Sequence, residues 1–89
     1  MAEILKPAAA GTLESSDAYV EIEPANEGIE ISVESVVKGQ FGACIENLVR
    51  EVLREYGVKA ARVSVTDRGA LDCVLRSRVE TAIVRGGAA

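Results

Sequence analysis

Two adjacent hydroxyls, Ser15 and Ser16, stand between two carboxylates, Glu14 and Asp17, and this group is the first in the chain that could do chemistry. A serine hydroxyl is a weak nucleophile unless a base takes its proton. The chain has no histidine, so a Ser-His-Asp arrangement and a histidine general base are both excluded. Glu14 and Asp17 could serve in acid-base work only with shifted pKa values. A flexible, wet segment offers no means of shifting them, so both are expected to be solvated charges. Cys44 and Cys73 have no second pair and no histidine, which leaves neither a zinc spacing nor a disulfide framework. Both are expected to be buried, inert thiols. Gly39 and Gly42 do not follow a strand or precede a lysine-bearing helix start as a phosphate-cradling loop requires. No residue is assigned a catalytic or metal-binding role.

The elements that must position the serines can be read from hydrophobic period. Met1 to Ser16 has no sustained period and carries Pro7, Gly11 and three consecutive alanines, so it is expected to be an extended segment with its serines accessible. Val20 and Ile22 alternate with Glu21 and Glu23, which predicts a strand from Asp17 to the ladder-breaking Pro24. After Ala25-Asn26-Glu27-Gly28, alternation resumes at Ile29, Ile31 and Val33. The two strands read as a hairpin whose outer face carries Glu21, Glu23, Glu30 and Glu34, a repulsive set of like charges.

Val37, Phe41, Ile45, Leu48, Val52 and Tyr56 recur at steps of three or four and predict an amphipathic helix, widened by Cys44, Val49 and Leu53. Ser35 is a candidate N-cap, Glu46 and Arg50 form an attractive pair four apart, and Gly57 stands where a left-handed cap would end the helix. Gly39 and Gly42 weaken its first turns, and close packing against a neighbouring backbone would explain them. Ala61, Val63 and Val65 predict a third strand. Asp67 is a candidate cap for a second helix running to about Arg85, with a buried stripe of Leu71, Val74, Leu75, Val79, Ala82 and Ile83. Asp72, Arg76 and Glu80 form a row of alternating charge on its exposed side.

The predicted fold is α+β, a two-layer sandwich with a three-stranded sheet and two helices on one face, in ββαβα order. Residues 1–16 form the extended segment, 17–85 a single domain and 86–89 a frayed tail. With 89 residues, the chain is long enough for one core but leaves little for a deep, water-excluding pocket. A net charge of −4 and an aromatic content of 3% argue against nucleic acid and anionic membranes as partners, and favour a basic protein face. Met1 to Ala10 lacks a signal sequence and no apolar run is long enough to span a bilayer, so the protein is expected in the cytoplasm.

Ala10-Gly11-Thr12-Leu13-Glu14-Ser15-Ser16-Asp17 resembles the N-terminal motif of the citrate lyase acyl carrier proteins, the gamma subunits of that complex. Ser35-Val36-Val37-Lys38-Gly39-Gln40-Phe41-Gly42 and Gly69-Ala70-Leu71-Asp72-Cys73-Val74-Leu75-Arg76 resemble the starts of the family's two helices, and the similarity runs from about Pro7 to Arg85. The resemblance implies that Ser15 carries phosphoribosyl-dephospho-CoA through a phosphodiester, placed there by a prosthetic-group transferase. The terminal thiol of that arm would hold acetyl or citryl as a thioester. Partners implied are an alpha subunit acting as acyl transferase and a beta subunit acting as citryl lyase, so the carrier itself would not be an enzyme.

The family commonly has glycine after the modified serine, whereas this chain has Ser16. The spacing from Gly11 favours Ser15 as acceptor, with Ser16 as the alternative, and Gly11 is expected to keep the approach to the serine free of bulk. Two other readings are an acyl carrier of malonate decarboxylase, which the Gly-Thr-Leu-Glu-Ser run argues against, and a non-enzymatic interaction domain whose acidic face recruits a basic partner.

Overall fold

A computed structural model describes residues 3–36 and 40–88. Four strands, β1 (Ala8–Gly11), β2 (Ala18–Glu23), β3 (Gly28–Ser35) and β4 (Ala60–Asp67), form one sheet in the order β1-β2-β4-β3. Helix α1 (Gln40–Glu55) lies between β3 and β4, and α2 (Asp72–Ile83) follows β4. Both helices cover the same face: α2 packs on β1 and β2, α1 packs on β3, and the helices meet each other. The α+β class and the one-sided helix layer are therefore as expected, but the sheet has four strands and the order is βββαβα.

The added strand is β1, in the segment expected to be extended chain. Ala8-Ala9-Ala10 has no alternation and poor strand propensity, so local sequence gives no sign of it. It forms because small side chains let it lie close beside β2 while α2 covers it. It pairs antiparallel from Ala8↔Ile22 to Gly11↔Tyr19, and Ala10 is buried. The expected hairpin of β2 with β3 does not exist. Strand β4 lies between them, antiparallel to β2 and parallel to β3, and the hairpin of this chain is β1 with β2. This changes the electrostatics of the open face. Arg62 stands in register with both Glu23 and Glu30 and binds them at 2.5 Å and 2.9 Å, so a cation occupies the place where like charges were expected to meet.

The core is formed by Val20, Ile22, Val63 and Val65 from the two central strands, Val49, Val52 and Leu53 from α1, and Leu75, Val79 and Ile83 from α2. Edge strand β3 contributes Ile29, Ile31 and Val33, which are only half-buried. Helix α1 ends as Gly57 predicts: with φ +72°, its N–H donates to the Arg54 carbonyl while the Val58 N–H donates to the Leu53 carbonyl. Glu46 and Arg50 pair at 3.2 Å. Val37 and Gly39 lie outside the described residues, as do the side chain of Phe41 and the packing expected at Gly42.

Other local expectations change. Ser35 is the last residue of β3, and its hydroxyl donates to Asp67 at 2.8 Å. Asp67 in turn accepts from the Ala70 N–H at 3.0 Å instead of capping α2, whose first turn has no side-chain cap. Cys44 and Cys73 are exposed, since each sits on the outward side of its helix. Arg76 pairs with Glu80 at 3.8 Å but also crosses to Glu55 and Glu51 of α1, so the row becomes a tie between helices. Val84–Ala88 continues from α2 as a wide turn broken at Gly87, where φ is +95°, and residue 89 of the tail expected at 86–89 lies outside the described residues. Gly86 is buried in it, a Cβ there would lie 3.3 Å from Ile4 and 3.6 Å from Ile22, and its carbonyl accepts the Leu5 N–H at 2.9 Å.

Candidate functional site

The serines occupy the six-residue connection Thr12–Asp17 between β1 and β2, at the tip of the hairpin. The Asp17 N–H donates to the Glu14 carbonyl at 3.2 Å and closes a turn with Ser15 and Ser16 at its centre. Ser16 has φ +66°, a left-handed conformation that glycine adopts freely and other residues adopt at a cost. The sign of φ thus gives a physical meaning to the glycine that the resemblance expects at this position. The turn has a left-handed third residue, as in type II turns.

This tip is pinned to the body of the domain. The Ser16 N–H donates to the Arg68 carbonyl at 2.8 Å, and the Arg68 N–H returns a bond to the Asp17 carbonyl at 2.9 Å, continuing the β2/β4 ladder. The Asp17 carboxylate is the hub. It accepts both Nε and Nη2 of Arg78 at 2.9 Å and 2.8 Å, the Thr12 hydroxyl at 2.6 Å and the Ala18 N–H at 2.7 Å. The Thr12 hydroxyl also accepts the Glu14 N–H at 3.2 Å. Asp17 is therefore not the solvated charge expected. The Arg78 guanidinium first, then Thr12 and the Ala18 amide, hold its carboxyl far below the usual carboxylate range, and its side chain is only 14% exposed. Nothing in the sequence around Ser15 could have signalled this, because Arg78 comes from α2, 61 residues away.

Gly11 serves the hairpin in a different way from the one expected. With φ +100°, it lies so close to β2 that a Cβ would sit 1.8 Å from the Ala18 carbonyl oxygen. It is needed for the approach of one backbone to another, not for access to the serine.

Ser15 itself is exposed, and its hydroxyl has no hydrogen-bond partner among the described residues. Strand directions bring three loops to this end of the sheet, because Gly11, Ala18, Ser35 and Asp67 all mark strand ends here. Each loop contributes an exposed apolar side chain: Leu13, Val36 and Leu71. Among the described residues no group of histidine, cysteine and carboxylate side chains could hold a metal ion, and no helix is long and apolar enough to cross a membrane.

The pattern of an acyl carrier family described as malonate decarboxylase delta subunit (MdcD) matches residues 5–86. The chain is 56% identical over 84 residues to citrate lyase acyl carrier protein 2 of Salmonella typhimurium, covering 93% of this chain and 87% of the relative. It is 58% identical over 79 residues to the citrate lyase acyl carrier protein of Klebsiella pneumoniae, covering 88% and 81%. Among solved structures, a chain of a Pseudomonas malonate decarboxylase hetero-tetramer in complex with malonate superposes with a TM-score of 0.80 at 27% identity, covering 97% of this chain and 89% of that one. The chain therefore belongs to this acyl carrier family and, within it, to the citrate lyase acyl carrier proteins.

Proposed function

We propose that Ser15 is the covalent anchor of the carrier's prosthetic group, phosphoribosyl-dephospho-CoA joined through a phosphodiester. The protein is a carrier and not a catalytic subunit, and the site's chemistry agrees with that role. Its carboxylate hub is neutralised by Arg78 and aimed away from acid-base work, while the Ser15 hydroxyl, in the same turn, is exposed and has no bond among the described residues. That free, exposed hydroxyl is the observation that carries the reading. A bulky group fits there because no described side chain covers it. When bound, the group supplies a terminal thiol that holds acetyl or citryl as a thioester. The protein's own residues fix the point from which the arm swings, which raises the effective concentration of the thioester at each partner site without new contacts.

The partners in this reading are an acyl transferase subunit and a citryl lyase subunit, met in turn at the serine end, with a prosthetic-group transferase loading the arm beforehand. Leu13, Val36 and Leu71 support contact there, since exposed apolar side chains gathered at one end suit a partner surface. The same arm on malonate decarboxylase is the more distant alternative, at 27% identity against 56%.

Intact-mass measurement on protein co-expressed with the transferase and its donor tests the reading. One adduct per chain is expected, mapped to Ser15, and Ser15→Ala should abolish it while the far-ultraviolet circular dichroism stays unchanged. Absence of any adduct on the unaltered chain would refute the carrier reading.

A further inference from the structure

We propose that the Asp17–Arg78 pair, with Thr12, is a positioning device that selects Ser15 over the adjacent Ser16 for modification and presents it in a fixed turn. This rests on Ser15 being the anchor. Two hydroxyls one residue apart, both exposed, are chemically equal acceptors, so sequence alone gives a modifying enzyme little to choose between them. The backbone makes them different. Neither hydroxyl has a bond among the described residues, and Ser15 stands at the second position of the turn, outside the left-handed region. Ser16 stands at the third with φ +66°, its N–H tied to the Arg68 carbonyl and its backbone laid against the β4–α2 connection. This difference lasts only while the turn holds its shape.

The shape is set by Asp17. One carboxylate oxygen takes Arg78 Nε and the Ala18 N–H, and the other takes Arg78 Nη2 and the Thr12 hydroxyl, so the first and last residues of the connection are held together and to α2. A two-point guanidinium fork fixes orientation as well as distance, which a single ammonium cannot do. The carboxylate is therefore engaged on all sides in holding the turn and is not available to take the serine proton. In the transfer step the Ser15 Oγ–P bond forms as the donor's phosphoanhydride P–O bond breaks. The remainder of the donor's polyphosphate departs as the leaving group, and the hydroxyl proton goes to a base on the transferase. This chain contributes geometry alone.

A preorganised turn changes the fraction of molecules ready to bind and not the reactivity of a bound one, so its loss appears in KM and leaves kcat nearly unaltered. The test follows adduct formation on the full-length chain by intact mass and peptide mapping, with purified transferase and the activated polyphosphate donor. Arg78→Gln is expected to raise KM about tenfold at near-normal kcat and to let part of the adduct appear on Ser16. Arg78→Lys, which keeps the charge but loses the fork, should restore part of both. Thr12→Val removes one donor and leaves the ion pair, so it should raise KM roughly threefold, and it carries the test if an Arg78 variant fails to fold. A purely stabilising contact would lower the melting temperature without moving KM or the site of modification.

Folded variants with unaltered KM and adduct on Ser15 alone would overturn the proposal, as would unaltered protein modified on Ser16. Either outcome leaves the carrier reading standing, which only the absence of any adduct on the unaltered protein removes.

Discussion

The two ends of the sheet are held by different physics. At the end away from the serines, Ile4 is buried against Gly86 and Ile22, and Leu5 packs over Gly87, so the terminal segments are closed there by apolar contact, with the Leu5 N–H on the Gly86 carbonyl and Arg85 on the Ala9 carbonyl beside it. At the serine end, the connection from Thr12 to Ser16 is exposed throughout, yet it is fixed by Asp17 and its ring of donors. A segment that must stay in water cannot be fixed by burial. It has to be held by directional polar bonds, and these need a partner from elsewhere in the fold to be geometrically firm.

The sharpest way to break the contrast is at Gly11. Gly11→Ala places a methyl on the Ala18 carbonyl at a φ of +100°, and should cost roughly 3 kcal/mol or more, read as a lower denaturation midpoint with loss of the hairpin's amide protection. At the other end, Ile4→Ala should cost about 2 kcal/mol through a cavity beside Gly86. Its adduct formation at Ser15 should nevertheless proceed at the normal rate well below the melting temperature. A slowed rate would show that the two ends are coupled.

Acid tests the polar end selectively. The Asp17 carboxyl titrates lower when folded than in the unfolded chain, where it titrates at about 3.9. Its contribution to stability is therefore complete above that value and declines as pH falls below it toward the folded pKa. Asp17→Asn should flatten the acid limb of a stability-against-pH curve between about pH 5 and 2. An unchanged slope would mean that the pair contributes nothing in solution. The smallest effect is expected at Ser16→Gly, which relieves the left-handed strain but gives the unfolded chain more freedom. A net gain of up to about 1 kcal/mol should appear in the thermal midpoint, with the adduct still on Ser15.

What could be read from the sequence follows from how each part is stabilised. Helix α1 and strands β2, β3 and β4 bury one face, so Ile45, Val49, Val20, Ile22, Val63 and Val65 announce them by period. Strand β1 is a run of alanines whose pairing depends on β2 and α2, and period cannot reveal a strand made by its neighbours. The mistaken β2–β3 hairpin came from assuming that adjacent strands pair. Placing β4 between them also puts Arg62 among the glutamates, which no local pattern shows. At the site, Ser15 was legible as an accessible hydroxyl in a known motif, and Gly11 was noticed for the wrong reason. The fixing of the turn was illegible, because an ion pair between residues 17 and 78 leaves no mark on either local sequence.

That separation also has a consequence in time. Protein synthesis delivers Ser15 well before Arg78, so while the intervening chain is still emerging from the ribosome the turn lacks its clasp. The finished hairpin is thus a signature of a chain whose second helix has already been made.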